Sequence, residues 1–190
     1  MTSRDGDQVS LSADSLDLAQ QAYATLLSVA NKVERFADEQ HAGLTGKQYM
    51  AMLAVLHLKP EDTSLTNIAH KLGTSKQNTQ RMLTTIQSKG YVAITPASTD
   101  RRAVTVRLTE FGAEVMAQNA VIGSAFLSTL FGSFSNEEIE ATWRLLMKLH
   151  RFDGAEYQGY EEDVSDTFAA RYPNAAATIG ADPKSSEVRG

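Results

Sequence analysis

Ser64-Leu65-Thr66-Asn67-Ile68-Ala69-His70-Lys71-Leu72-Gly73-Thr74-Ser75-Lys76-Gln77-Asn78-Thr79-Gln80-Arg81-Met82-Leu83-Thr84-Thr85-Ile86-Gln87-Ser88-Lys89-Gly90 contains two helix starts and two helix stops. Ser64 and Ser75 are placed to accept the backbone N–H of a residue in the following turn, as N-caps do. Gly73 and Gly90 stand just past the last apolar positions, where a left-handed residue closes a helix. Between these signals Leu65, Ile68, Ala69 and Leu72 share one helical face, and Thr79, Met82, Leu83 and Ile86 share another. Two short helices joined by a few residues that include Gly form a helix-turn-helix.

Beyond Gly90 the apolar period changes from helical to two. Tyr91 to Thr95 reads as a strand, and Val104, Val106 and Leu108 alternate with Thr105 and Arg107 as a second. Pro96 to Arg102 lies between them, with Pro, Ser and Asp supplying turn chemistry, so the pair reads as a hairpin wing with a charged tip. Upstream, Thr45 and Gln48 form a capping box that opens a helix with Tyr49, Met52, Leu53 and Leu56 apolar, ending before Pro60.

The flanks are helical. Leu16, Ala19, Tyr23, Leu26, Ala30, Val33 and Ala37 alternate three and four apart, the narrow seam of a helix lying along another long helix. Thr109 caps a helix through Met116, Ala120, Gly123, Leu127 and Leu130. Ser135 and Glu138 open another with Ile139, Trp143, Leu146 and Leu149 on one face. After Asp153 acids dominate, with one weak helix expected near Val164, Phe168 and Tyr172, and a disordered tail from Pro173 to Gly190. The predicted organisation is a flexible terminus over 1–10, a helical dimerisation region over 11–43 and 109–152, a winged helix-turn-helix over 44–108, and a largely flexible acidic extension over 153–190. The fold class is mainly α with a small β-hairpin.

Charge follows this division. From Ser64 to Arg107 there are seven bases and one acid, a net +6, which leaves −11 on the rest of a chain whose total is −5. A basic face on an acidic protein is the electrostatic footprint of nucleic-acid binding. In the second helix, Lys76, Gln77, Asn78, Gln80, Arg81 and Thr84 point away from the apolar face, and no carboxylate accompanies them. Arg reads guanine, Asn and Gln read adenine, and Thr meets the thymine methyl. Ser75 and the backbone amides at the helix start suit a phosphate oxygen. The hairpin tip adds Arg101 and Arg102, of which one can enter the narrow minor groove, with Asp100 able to hold a neighbouring guanidinium by a charge-assisted hydrogen bond.

Other chemistries find little footing. The chain has no Cys, which removes disulfides, thiolate nucleophiles and cysteine-ligated zinc. His41, His57, His70 and His150 are never at metal-ligand spacing, so neither metal nor cofactor is expected. No phosphate loop, nucleophile elbow or paired-carboxylate pattern occurs, so the chain does not read as an enzyme. The polar start, with Asp5 and Asp7, lacks a signal core, and no apolar run is long enough for a membrane span; a cytoplasmic location is the expectation.

Five motifs in order carry a family resemblance: Ile68-Ala69-His70-Lys71-Leu72-Gly73, Thr74-Ser75-Lys76-Gln77, Lys89-Gly90-Tyr91-Val92, Asp100-Arg101-Arg102-Ala103, and Leu108-Thr109-Glu110-Phe111-Gly112. Together they resemble the MarR (multiple-antibiotic-resistance regulator) family of bacterial transcription factors. The likeness runs over roughly Leu16 to Phe152 in helix order and is motif-specific from Thr45 to Gly112. It implies a homodimer intertwined through its first and last helices. It also implies a repressor bound to a pseudo-palindromic duplex and released by a small aromatic or anionic effector. Arg102 matches the minor-groove arginine and Asp100 its orienting partner. Phe36, Tyr49, Met52 and Met116 fall near positions that line effector pockets in the family, although their spacing alone reads as core. Thr79, where a larger aliphatic residue is common, and the long tail depart from the pattern. A rival reading is a winged-helix module for protein–protein contact that does not bind DNA.

Overall fold

The computed structural model describes residues 11–40, 43–96, 104–154, 160–161 and 163–179. In chain order these form α1 (Ala13–Gln40), α2 (Gly46–His57), a 3-10 turn (Pro60–Asp62), α3 (Leu65–Lys71), α4 (Lys76–Ser88), β1 (Val92–Pro96), β2 (Val104–Leu108), α5 (Glu110–Phe131), α6 (Asn136–His150), α7 (Ser165–Arg171) and α8 (Pro173–Ile179). The architecture is mainly helical with one antiparallel hairpin, in the register Val92↔Leu108 to Pro96↔Val104.

The helix boundaries follow the caps. Thr45 Oγ1 accepts the Gln48 N–H at 3.2 Å while Gln48 Oε1 accepts the Thr45 N–H at 3.3 Å. Ser64, Ser75 and Thr109 accept from Asn67, Asn78 and Gly112 at 3.2, 3.2 and 2.9 Å, and Ser135 forms the reciprocal box with Glu138. The turn between α3 and α4 closes on Gly73 at φ +61°. There the Gly73 N–H donates to the His70 carbonyl and the Thr74 N–H to the Ala69 carbonyl, both at 3.0 Å. This paired pattern needs the left-handed residue that glycine supplies without strain.

The core sits where α2, α3 and α4 pack on the hairpin base. Met52, Ile68, Leu83, Ile86 and Val106 are fully buried. The Val106 N–H donates to the Thr63 carbonyl at 3.0 Å, so β2 is held against the turn before α3 as well as against β1. The strand begun at Val92 runs one residue past the expected Thr95. Pro96 ends it opposite Val104, at a strand end where a missing N–H costs little.

The flanking helices behave differently. α1 buries only Ala37 in 28 residues, and α6 buries none of its 15. Leu16, Tyr23, Leu26, Trp143, Leu146 and Leu149 are all exposed, and Phe152 is 86% exposed. No single helix among the described residues is long and apolar enough to cross a membrane; α5 and α6 reach that length only as a pair bent by 99°.

One expectation needs correction. Pro173 to Ile179 is helix α8 and not a disordered tail; residues 180–190 lie outside the described residues. Proline suits the first turn of a helix because its missing N–H has no intrahelical partner there. The alanine run that follows lets α8 lie closely on α5, with Ala175 fully buried. A seven-residue helix is marginal by itself, so this packing rather than local propensity makes it.

Candidate nucleic-acid interface

α4 is fixed in direction before it meets any partner. Thr79, Leu83 and Ile86 are buried, and Met82 is half-buried against the same cluster. The N-terminus is capped by Ser75. At the other end the Tyr91 N–H returns to the Ile86 carbonyl at 3.0 Å and the Gly90 N–H to Gln87 at 2.8 Å. Lys76, Gln77, Asn78, Gln80, Arg81 and Thr84, named from the sequence, are all exposed on this helix, as is Ser75 before it. Helical spacing puts Gln77, Arg81 and Thr84 along the ridge opposite the buried face, with Asn78 and Gln80 on its flanks. The Thr84 hydroxyl donates to the Gln80 carbonyl at 2.9 Å, which leaves its methyl and an oxygen lone pair for outside contact.

The structure sorts the basic residues that composition treats alike. Lys71 is only 4% exposed. Its ammonium lies 4.9 Å from the centroid of the Tyr160 ring, and the Tyr160 hydroxyl donates to its carbonyl at 3.3 Å. Lys89 donates through Nζ to the Gly43 carbonyl at 2.9 Å and to Gln48 Oε1 at 3.0 Å. These two cations are therefore structural: one is covered by the C-terminal segment, the other ties the end of α4 to the start of α2. Among the described bases of the stretch, Lys76, Arg81, Lys89 and Arg107 are exposed, and of these Lys89 is the one whose ammonium is bonded back to Gly43 and Gln48.

Asn78, Arg81 and Thr85 also form one bank of a cleft of about 660 Å³ that runs between α4 and the start of α2. Lys47, Gln48, Lys71, His150 and Tyr160 line its other parts. Burial pushes the Tyr160 phenol up to about 12, so it stands as a neutral hydrogen-bond donor. His57 meets the same ring edge-on at 5.1 Å. Sequence reasoning did not find Tyr160: no motif marks it, and its contacts are made across 89 positions of chain.

The hairpin base is rigidly seated through Val106 and Leu108, but its tip, residues 97–103, lies outside the described residues. The reading of Asp100, Arg101 and Arg102 falls there. The effector positions separate. Tyr49 and Met116 line one cavity of about 480 Å³ between α2, α5, α7 and α8. Met52 is completely buried in the core and is not among the residues lining that cavity. Phe36 stacks on Phe126 at 5.3 Å and is not among the residues lining that cavity. No group of His, Asp and Glu among the described residues is arranged to hold a metal ion.

A capped helix-turn-helix followed by an antiparallel hairpin defines the winged helix-turn-helix class. Residues 42–103 match the model of the MarR family, so the reading unit of this chain is similar to that family's. The transcriptional activatory protein BadR of Rhodopseudomonas palustris is 26% identical over 140 residues, covering 70% of this chain and 79% of that protein. A MarR/EmrR family transcriptional regulator from Acinetobacter sp. ADP1 has a similar fold, with TM-score 0.63 at 23% identity over 70% of this chain and 95% of its own. So does a MarR mutant from E. coli complexed with operator DNA, with TM-score 0.60 at 23% identity, covering 66% and 91%. The first two are named as regulators of transcription.

Proposed function

We propose that this chain is a sequence-specific double-stranded DNA-binding regulator that acts as a homodimer on a pseudo-palindromic operator. The observation that carries the reading is the outer face of α4: Lys76, Gln77, Asn78, Gln80, Arg81 and Thr84 are exposed together on a helix that holds no carboxylate. Such a face can lie against phosphates and read base edges in a major groove. The relative crystallised on operator DNA supports the same use of the fold. A winged helix serving only protein contact has no need of that face, so the rival reading is the weaker one.

In this reading residues 44–108 form the reading unit, and Arg101 and Arg102 belong to a wing from which one arginine, Arg102 by the family resemblance, enters the minor groove with Asp100 orienting it. Residues 11–43 and 109–152 join two copies: α1 and α6 are amphipathic helices whose apolar residues Leu16, Tyr23, Leu26, Trp143, Leu146 and Leu149 are left exposed by the described residues, and exposed apolar area of this kind marks an interface. The cavity lined by Tyr49 and Met116 beside α5 supports the reading that a small-molecule effector binds there. Repression is the expected outcome where the operator overlaps a promoter. The direction of regulation depends on where the operator lies, which is a property of the DNA.

The test is selection of bound duplexes from a random pool with the full chain, followed by titration of the selected site with wild type and Arg81→Ala. The variant should lose about 1–3 kcal/mol on the selected site and relax preference at one base pair. Equal loss on selected and random duplexes would overturn base reading by Arg81. Failure to enrich any sequence would overturn specific binding altogether.

A further inference from the structure

We propose that α7 and α8 fold over α2 and α5 to build a binding site for a neutral, largely apolar small molecule bearing a hydroxyl, and that the site rejects carboxylates. This deepens the reading of Tyr49 and Met116 as effector contacts and rests on it.

The α7–α8 pair is part of the packed fold. Phe168 and Ala175 are buried in the same cluster as Leu56 and Met116, and the Tyr172 hydroxyl donates to the Leu108 carbonyl at 3.3 Å, at the end of β2. Between these anchors the cavity of about 480 Å³ stays unfilled, and small-molecule sites commonly enclose roughly 300–1,000 Å³. Its walls combine Leu53 of α2 and Ala120 of α5 with Ala169 of α7 and Ile179 of α8. The site therefore exists only with the C-terminal pair in place.

The charge of the lining selects the ligand. Among the described residues that line it there is no Lys, Arg or His, and Asp166 is the single charged group. A carboxylate entering would leave water without meeting a cation and would face a like charge. A neutral ring loses nothing comparable and gains apolar burial. Tyr49 and Ser165 supply hydroxyls that can meet a hydroxyl on the ring. Burial pushes the Tyr49 phenol up, which keeps it protonated in this role. The cleft beside α4 has the opposite lining, with Lys47, Lys71, Arg81 and His150 and no acid among its described residues, and it belongs to the nucleic-acid face.

The experiment is calorimetric titration of the full chain at neutral pH, without DNA, using 2-naphthol and the matching carboxylate 2-naphthoate as probes. Naphthol should bind, and naphthoate should bind at least about tenfold more weakly. Ala169→Phe and Ala120→Phe, which fill the cavity from α7 and from α5, should each lower naphthol affinity by at least about tenfold. Their apo thermal midpoints report whether they fold, and hydrogen exchange in α7–α8 should slow when naphthol binds to wild type. Naphthoate binding as tightly as naphthol, naphthol affinity unchanged in both folded variants, or no binding of naphthol would each overturn the proposal. Because no DNA is present, failure here leaves operator reading untouched, and failure of operator reading leaves this result standing.

Discussion

A β-carbon on Gly112 would lie 1.9 Å from the carbonyl oxygen of Tyr91. α5 thus begins in direct backbone contact with the root of the wing. The same carbonyl accepts the Thr109 N–H at 3.1 Å, and the Thr109 hydroxyl donates to the Gly90 carbonyl at 2.6 Å. Gly112→Ala must push these backbones apart and should destabilise the protein by about 1–3 kcal/mol. Gly123→Ala, further along α5 where a β-carbon would meet nothing within 4 Å among the described residues beyond its own helix, should instead be neutral or add up to about 1 kcal/mol. Denaturant melts of both variants check this, and equal effects would refute the contact.

The sorting of cations predicts a split in salt dependence. If Lys76 and Arg102 contact DNA as proposed, Lys76→Ala and Arg102→Ala should each flatten the slope of log K against log salt by about one unit. Asp100→Ala should weaken binding less, since it removes only orientation. Lys89→Ala should leave the slope unchanged and lower stability, because its ammonium is bonded to Gly43 and Gln48. Fluorescence anisotropy across a salt series separates the two groups. A flattened slope for Lys89→Ala would contradict its structural role.

Assembly is predicted from what one chain leaves uncovered. A two-fold dimer sets two reading helices about 34–36 Å apart, one turn of duplex. Leu26 of α1 and Leu146 of α6 are exposed in the single chain and should be buried between two. Leu26→Ala and Leu146→Ala should each cost the dimer about 2–5 kcal/mol and make unfolding more dependent on protein concentration. The Leu26→Ala/Val33→Ala double variant should dissociate further. Sedimentation of wild type as a monomer at micromolar concentration would remove the two-half-site mechanism.

Tyr160 gives the C-terminal segment an alkaline signature. Burial lifts its phenol from the ordinary 10.0 to about 12, so the neutral form is favoured in the folded chain. Its contribution is complete below pH 10 and is lost as pH rises towards about 12. Tyr160→Phe keeps the ring over Lys71 but loses the hydrogen bond to its carbonyl, and should cost about 1 kcal/mol near neutrality. The gap between variant and wild type should narrow as pH rises above 10.0, measured by urea unfolding. A constant gap would show that the hydroxyl is not held as described.

The amino-acid sequence by itself determined the helix-turn-helix, the hairpin and the long flanking helices, because caps, glycine stops and apolar periods act within a few residues. Ser64, Ser75, Thr109 and Ser135 cap the helices their positions announced. It also determined the outer face of α4, since a helix with Thr79, Leu83 and Ile86 inside leaves Gln77, Arg81 and Thr84 outside. Contacts between distant segments lay beyond its reach. Only the tertiary structure decided that Lys71 is covered by Tyr160 and that Lys89 reaches back to Gln48. It alone made a helix of Pro173–Ile179 and separated Met52 in the core from Tyr49 and Met116 at a cavity. The physical reason is common to all three: a charged stem, an alanine run and an apolar side chain are each compatible with surface or interior, and the segment that packs against them settles which.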